Sequence, residues 1–460
     1  MNRLLSYGRS LLAAGVLAAA LTCPIPALAA PVHTGASMPG GNTAWELGAA
    51  SSVANPVVVE DAIFIATDTQ IERHTQGTDA VVASAPLRED NGAVVSLALD
   101  DYTLYVVYET GAIDAYSIDL ELLWSVGVLS NLDSDSSSAP AQNNSLRVVD
   151  THAAYGYVSV VLQAEKDSEL FVAAYRSVDG SLACSQTILV AGESVADPVI
   201  VHTSNAWVVL DPAGDLHAFF YNQDKAVDIE LPYDLPAQSM VAQDGKNDAS
   251  VFVTLSSGAV CAVDLSDEAA VTVVEYAADP GMLMRGPSTT ARALASVDGA
   301  CLVLVTSPAE DAMLYLCAQN SVEAVELPVS TWTDSVVITT DLPSHNLLLA
   351  SHEGIYMIDV KVDGDNLALS DPAQLSDANV ASMAVGTMGE MIVVDDAGAV
   401  TMIMAKGAAT PSQNSDMVSR LMGPGAFVLV GMFVVYFIIV SRAKRAETQD
   451  NAEKDESTRR

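Results

Sequence analysis

The stretch Gly111-Ala112-Ile113-Asp114-Ala115-Tyr116-Ser117 decides the fold, because a close copy recurs as Gly258-Ala259-Val260-Cys261-Ala262-Val263-Asp264. Each copy opens with a glycine and continues as a short apolar run, the pattern of a tight turn that leads into a β-strand. Looser copies begin at Gly214, Gly354 and Gly398, and degraded copies lie near Gln70, Ser168 and Ala312. These eight copies recur about every 47 residues, the length of a four-stranded β-propeller blade.

Further apolar runs surround the copies and complete the blade pattern. Residues 55–59 and 62–66 precede the copy near Gln70, and residues 122–127 follow the copy at Gly111. These runs are apolar at nearly every position, as expected of strands whose two faces are both covered by neighbouring sheets. The sequence therefore predicts an all-β, eight-bladed propeller over residues 43–406. Seven blades are the alternative, because two of the spacings are irregular.

The two ends of the array complement each other. The last recognisable blade, at 382–405, lacks an outermost strand, whereas residues 45–50 form a strand-like run that belongs to no preceding blade. An unpaired sheet edge invites aggregation, so a ring that ties its ends together is favoured. We expect residues 45–50 to supply the missing strand of the last blade.

The pattern resembles the PQQ-like repeat family, the propellers typified by quinoprotein dehydrogenases and by the propeller lipoprotein of outer-membrane assembly. The residues that carry the resemblance are 55–59 with 63–67, and 111–116 with Leu123 and Trp124. The enzymes of that family combine a calcium-bound quinone with an adjacent-cysteine disulfide and a catalytic aspartate. This chain has no Cys-Cys pair, so the resemblance implies a fold and carries over no catalytic residue.

The sequence predicts no catalytic, cofactor-binding or metal-binding residues. The seven histidines are scattered, residues 192–196 lack the last glycine of a nucleophile elbow, and residues 133–144 lack the glycine and glutamate of a calcium loop. Two cysteines, Cys301 and Cys317, lie in apolar runs on either side of a turn. A hairpin would bring them together, so a disulfide and two buried thiols are both open.

The N-terminus reads as an export signal. Residues 11–21 are apolar but too few to span a bilayer, and Ala27-Leu28-Ala29 offers the small-x-small pattern of a signal peptidase site. We predict a signal peptide at 1–29 that is cleaved between Ala29 and Ala30, followed by a linker at 30–42.

The C-terminus reads as a membrane anchor. Residues 421–440 carry no charge, and a helix of that length spans about 30 Å, the thickness of the hydrocarbon core. Three basic residues follow it: Arg442, Lys444 and Arg445. The positive-inside rule then predicts a stalk at 407–420, a transmembrane helix at 421–440 and a cytoplasmic tail at 441–460. The propeller is predicted to lie outside the cytoplasmic membrane.

Charge and the lack of a catalytic motif together favour a binding role. The chain carries 58 acidic and 20 basic residues, a net charge of −38, which repels nucleic acid and anionic membrane surfaces. We predict a non-enzymatic binding or scaffold module of the cell envelope whose partner is an envelope protein or another extracytoplasmic ligand. Two alternatives stay open: a quinone- or metal-dependent oxidoreductase, and a signalling or assembly component that works through the transmembrane helix.

Overall fold

The computed structural model describes most of the chain between residues 36 and 404. The described residues are 36–37, 43–59, 62–75, 81–127, 146–164, 169–192, 194–221, 226–243, 248–276, 290–307, 310–328, 332–339, 345–351, 353–364, 366–376, 380–385, 390–395 and 397–404. The chain divides into two compact units, Met1–Lys406 and Gly407–Arg460, and the described residues all belong to the first. No helix within these ranges is long and apolar enough to cross a membrane. The predicted span at 421–440 lies outside them.

The described strands form eight antiparallel sheets, each of which is one blade. Two N-terminal strands, β1 (Ala36–Ser37) and β2 (Thr43–Ser51), precede the first blade in sequence. The first four blades are blade 1 (β3 Val57–Val59, β4 Ala62–Ala66, β5 Gln70–Thr75, β6 Val81–Pro86), blade 2 (β7 Val94–Asp100, β8 Thr103–Tyr108, β9 Ile113–Ser117, β10 Leu122–Val126), blade 3 (β11 Leu146–Ala154, β12 Tyr157–Ala164, β13 Glu169–Arg176, β14 Leu182–Leu189) and blade 4 (β15 Val199–His202, β16 Ala206–Leu210, β17 Leu216–Phe220, β18 Val227–Ile229).

The second half of the chain repeats this arrangement. The remaining blades are blade 5 (β19 Ala237–Ala242, β20 Ser250–Leu255, β21 Val260–Asp264, β22 Thr272–Glu275), blade 6 (β23 Thr290–Val297, β24 Ala300–Ser307, β25 Glu310–Cys317, β26 Val322–Glu326), blade 7 (β27 Trp332–Thr339, β28 His345–Ser351, β29 Gly354–Asp363, β30 Asn366–Leu369, with β31 Ala373–Ser376 also on β29) and blade 8 (β32 Ser382–Val385, β33 Glu390–Val394, β34 Ala399–Met404, with β2 and β1). Short 3-10 helices lie at Glu89–Asn91 and Pro232–Asp234.

The blades form a closed ring with their first strands innermost. The first strand of each blade contacts the first strand of the next, and β32 of blade 8 contacts β3 of blade 1. Each of the eight recurring sequence copies lies at the third strand of one blade, from β5 to β34. The prediction of an all-β, eight-bladed propeller is therefore confirmed, and the seven-bladed alternative is wrong.

The N-terminal strand β2 closes the ring as the fourth strand of blade 8. It pairs antiparallel with β34, with Trp45 opposite Met402 and Glu46 opposite Thr401. The predicted closure is thus confirmed, although β2 begins at Thr43 and the two-residue strand β1, inside the predicted linker, pairs onto it. A two-residue strand has no periodicity that a sequence pattern could reveal.

Apolar clusters fill all eight interfaces between adjacent blades among the described residues. Strands β4, β16 and β20 are buried at every residue, because they have a neighbouring blade on both faces. At the closing interface, Ile63 and Ile65 of blade 1 pack with Ile392 and Met402 of blade 8. Burying one such side chain stabilises the fold by about 1.5–3 kcal/mol, so the ring gains stability at each of its joints.

Polar side chains connect the inner strands of blades 3 and 4. The carboxylate of Asp150 on β11 accepts a hydrogen bond from the backbone N–H of Ile200 on β15 at 2.7 Å. The imidazole of His202 lies 2.9 Å from the Ser159 hydroxyl and 3.1 Å from the carbonyl oxygen of Ala154. Burial raises the pKa of Asp150 to about 6, and burial together with the neighbouring His152 lowers the pKa of His202 to about 3. His202 is therefore neutral near pH 7.

Turn glycines have the backbone conformation that the repeat predicts. Gly214 has a φ of +87°, and a Cβ there would lie 2.5 Å from the Cβ of Pro236 and 2.7 Å from the carbonyl oxygen of Ala237. Gly156 has a similar φ of +79°, but a Cβ there would meet nothing within 4 Å. The two glycines thus share the conformational demand and differ in the space around them.

We expect Gly214→Ala to destabilise the protein more than Gly156→Ala. Both substitutions place a side chain in the left-handed region, at a cost of about 1–2 kcal/mol. Gly214→Ala adds a steric clash with the backbone, so its total loss of stability should exceed about 3 kcal/mol. Thermal unfolding of the two variants measures the difference. Equal midpoints for both variants would contradict the close packing at Gly214.

Candidate functional site

The turns that join first to second strands and third to fourth strands share one end of the ring, named here the hairpin face. The turns of neighbouring blades are hydrogen-bonded across this face. The backbone N–H of Gly156 in blade 3 donates to the carboxylate of Asp100 in blade 2 at 2.8 Å. The N–H of Ser204 in blade 4 donates to the carbonyl oxygen of Asp248 in blade 5 at 2.9 Å. These contacts join the turns of blade 2 to those of blade 3, and the turns of blade 4 to those of blade 5, on the hairpin face.

A polar cleft of about 280 Å³ lies between blades 5 and 6 where their strands end at the hairpin face. Its polar lining residues are Gln243, Ser250, Asp264, Ser266, Thr272 and Gln319. Ser250, Asp264 and Thr272 lie side by side on β20, β21 and β22, because Ser250 pairs with Asp264 and Asp264 with Thr272. The cleft is therefore built on one transverse row of blade 5.

The cleft exists because blade 5 carries small and polar residues where blade 4 carries a large apolar one. In blade 4, Ala206 pairs with Phe220, and Phe220 is buried in the interface with blade 5. The equivalent pair in blade 5 is Ser250 with Asp264. A serine and an aspartate do not fill the volume of a phenylalanine ring, so this end of the interface between blades 5 and 6 stays open.

The ring of Tyr276 forms part of the apolar wall of the cleft. Tyr276 lines it and packs edge-to-face against Phe252, with ring centroids 5.1 Å apart. The Tyr276 hydroxyl donates to the carbonyl oxygen of Gly299 in blade 6 at 3.4 Å. These two contacts hold the ring in place across the interface between blades 5 and 6.

The cleft presents hydrogen-bond acceptors and no positive charge. One carboxylate oxygen of Asp264 accepts the N–H of Ser266 at 2.8 Å. The amide of Gln243 and the hydroxyl of Ser250 add neutral polar groups, and both residues are buried. No lysine or arginine is among the described residues that line it. Its chemistry suits a ligand that donates hydrogen bonds.

A cluster of aromatic rings lies on the same face, at the junction of blades 3 and 4. Tyr157 stacks on Tyr221 with ring centroids 4.9 Å apart, and Trp207 meets both rings edge-on. Tyr155 occupies the adjoining turn with a φ of +55° and is 47% exposed. A bulky residue in the left-handed region is strained, and such strain concentrates at functional sites.

Two further polar clusters connect side chains within the blades. In blade 2 the fully buried carboxylate of Asp114 accepts hydrogen bonds from Tyr108 at 2.9 Å, from Arg88 at 3.2 Å and from Ser125. In blade 4 the imidazole of His217 lies 2.8 Å from Asp228 and 3.4 Å from the buried Asp211.

The predicted cysteine pair is brought together. Cys301 lies directly opposite Cys317 on the neighbouring strands β24 and β25, and both are buried. Both carry thiols in this structure, and burial raises the pKa of Cys301 well above its usual value. The predicted cleavage site at Ala29 and Ala30, and the basic residues Arg442, Lys444 and Arg445, lie outside the described residues.

Two further segments were candidate sites in the sequence, and the structure describes one of them. Residues 192–196 lie in the connection between blades 3 and 4, where the N–H of Val195 donates to the carbonyl oxygen of Pro212. Residues 133–144 are not described. Within the described ranges no three His, Cys, Asp or Glu side chains are grouped to hold a metal ion. The cleft was missed, yet a comparison of the copies at Gly214 and Gly258 shows Asp264 in the place of Phe220.

Comparison with known proteins supports the fold and no finer assignment. No protein-family model matches the chain, and no curated protein sequence is similar to it. The computationally designed Ika8 protein matches with a TM-score of 0.52 and 11% identity over 80% of this chain and 99% of that one. The C-terminal WD40 domain of Sif2 matches at 0.50 and 11% over 79% and 99%. BamB from Moraxella catarrhalis matches at 0.46 and 10% over 79% and 98%.

At such identities the likeness shows a β-propeller fold alone. The resemblance to PQQ-like repeats in particular therefore stays a prediction.

Removal of the buried carboxylate in blade 2 should destabilise the protein. We expect Asp114→Ala to lower the free energy of unfolding by about 2 kcal/mol, because Tyr108 and Arg88 lose their acceptor. The matched control is Asp119→Ala, since Asp119 also pairs with an arginine, Arg73, but its side chain is 72% exposed. The control should change stability by less than about 1 kcal/mol. Urea unfolding of both variants tests the contrast, and equal losses would count against it.

His217 should make stability depend on pH. Burial lowers the pKa of His217, but hydrogen bonds and charge from Asp211 and Asp228 outweigh burial, and the net pKa is raised. Protonated His217 therefore stabilises the fold fully below its unfolded pKa of about 6.5, and this contribution is lost as the pH rises through the folded pKa.

The measurement is the thermal midpoint at about pH 6 and at about pH 9, on either side of that titration. We expect the midpoint of the wild type to fall by more than that of His217→Asn, because the variant has no imidazole to titrate. A parallel fall in both proteins would refute the role of His217.

Proposed function

We propose that the chain is a membrane-anchored, extracytoplasmic β-propeller that acts as a non-enzymatic binding or scaffold module of the cell envelope. The observation that carries this proposal is the hairpin face, because a polar cleft and an exposed aromatic residue, Tyr155, both lie at that end of the ring. Propellers are rigid rings, so the loops at one end of the ring keep fixed relative positions. A partner that spans several turns can therefore bind with little loss of conformational entropy in the propeller.

Two reactive side chains of blade 5, Cys261 and Asp264, lack the surroundings that a catalytic role would need. The thiol of Cys261 is buried, and burial together with the nearby Glu275 raises its pKa to about 11. A thiolate is the reactive form of cysteine, so this group is unreactive near pH 7. Asp264 in the cleft has hydroxyl and amide neighbours but no histidine or lysine among the described lining residues to work with as a second acid or base.

The location of the proposed function rests on the ends of the chain. The export signal predicted at 1–29 and the span predicted at 421–440 agree on one topology, with the propeller outside and the tail inside. The whole chain has a net charge of −38. Such a charge favours solubility and repels nucleic acid and anionic lipid. We propose an envelope protein as the partner on these grounds.

The test is crosslinking and capture of the full chain, tagged after Arg460, from native membranes. We expect a reproducible envelope partner whose yield falls at least tenfold for the double variant Tyr155→Ser and Val178→Ser. Both residues are exposed in hairpin-face turns, at 47% and 84%. The matched control is Val195→Ser, which removes a 45% exposed apolar residue from the opposite end of the ring and should leave capture unchanged.

Three outcomes separate the alternatives. A quinone or metal that co-purifies with the chain in place of a protein partner would favour the oxidoreductase. Loss of capture on deletion of residues 441–460 would favour a component that works through the membrane helix and tail. Equal capture by the double variant and its control would show that the hairpin face is not the binding surface.

A further inference from the structure

The cleft between blades 5 and 6 has the electrostatic character of a site for a cation. Asp264 is its charged residue, and one carboxylate oxygen is engaged by the N–H of Ser266. The remaining described polar groups are hydroxyls and amides, which offer oxygen atoms to a donor. A carboxylate flanked by blades feels a lower effective dielectric than one in bulk water, so its attraction for a positive charge is strengthened.

The surroundings of the cleft reinforce the same preference. Asp248, Asp267 and Asp298 lie in hairpin-face turns of blades 5 and 6. In the described parts of these two blades, Arg292 is the one basic residue, and it lies near the start of β23, far along the strand from the turn at Asp298. An anion at the cleft would meet repulsion, whereas a cationic group would be drawn in.

The size of the cleft restricts the ligand to a small group. Its volume is about 280 Å³. Pockets for drug-sized ligands start at about 300 Å³ and are mostly apolar. This cleft suits a single long side chain, with a few waters, that enters from the hairpin face.

We propose that the cleft binds the guanidinium group of an arginine side chain that belongs to a segment of the partner protein. Guanidinium is a planar fork of five donors, and the residues that line the cleft include the Asp264 carboxylate, the amide side chains of Gln243 and Gln319, and the ring of Tyr276. A compact ammonium uses the ring and the spread of acceptors less well. This inference rests on the proposed function, because it names the chemistry by which the partner engages the hairpin face.

The experiment compares two probes on the full chain in detergent by NMR titration: Nα-acetyl-arginine amide and the neutral isostere Nα-acetyl-citrulline amide. We expect the arginine probe to bind with a Kd on the order of 1 mM and the citrulline probe at least tenfold more weakly. Asp264→Asn should weaken binding of the arginine probe at least tenfold. Asp264→Phe, which copies the Phe220 of blade 4, should abolish it by filling the cleft.

The matched control is Asp119→Asn, which removes the same charge from an exposed residue in a turn of blade 2, outside the cleft. It should change the affinity of the arginine probe less than threefold. Thermal unfolding establishes that each variant is folded before its titration is read. Equal affinity of the two probes for the wild type would overturn the inference, and so would unchanged arginine binding by folded Asp264→Asn.

Capture from membranes separates this inference from the proposed function. If the wild type captures a partner and Asp264→Asn captures it equally well, the propeller is a binding module, but arginine in the cleft does not hold the partner. If the wild type captures no partner while the arginine probe binds in an Asp264-dependent way, the cleft is a site for free arginine-like cations and the proposed function fails. Loss of both with Asp264→Asn supports both.

Discussion

The antiparallel pairing of β2 with β34 is the interaction on which the rest of the structure depends. Without it, blade 8 would end in an exposed edge, and the interface between blades 8 and 1 would be held by apolar packing alone. With it, blade 8 has its fourth strand, and an apolar cluster lies between each pair of neighbouring sheets. Because each blade needs a neighbour on both faces, the ring is stable as a whole and no single blade buries its own surface.

Apolar packing and polar contacts stabilise different layers of the ring, at different distances from its axis. The middle strands are buried on both faces and carry the apolar clusters, whereas the inner strands of blades 3 and 4 are linked by the side chains of Asp150 and His202. The cleft at Asp264 departs from this division, because blade 5 has polar residues where the neighbouring blade 4 has Phe220 in its apolar interface. Such departures cost stability, and a binding function is a physical reason to keep one.

Much of the fold could be predicted because its signals are local and repeated. A glycine at positive φ followed by a strand marks five of the eight copies, those at Gly111, Gly214, Gly258, Gly354 and Gly398, and the missing fourth strand of blade 8 indicated β2. Sequence patterns could not predict the contact of His202 with Ser159 or the position of Gln319 in the lining of the cleft. Both features join residues of different blades, so they depend on how the ring brings the sheets together. The copy at Gly258 has Asp264 at the position that Phe220 occupies in the copy at Gly214, and an alignment of the repeats alone would have shown this difference.

The closure by β2 also determines at what stage of folding the last blade is completed. Residues 43–51 leave the ribosome among the first strands of the propeller, yet their partner β34 ends at residue 404, so this contact spans nearly the whole domain. Contacts between such distant residues form late and slow the folding of a domain. The strand β2 must therefore stay unpaired until the last strand of blade 8 has been made, and the ring can close only when the whole propeller is present.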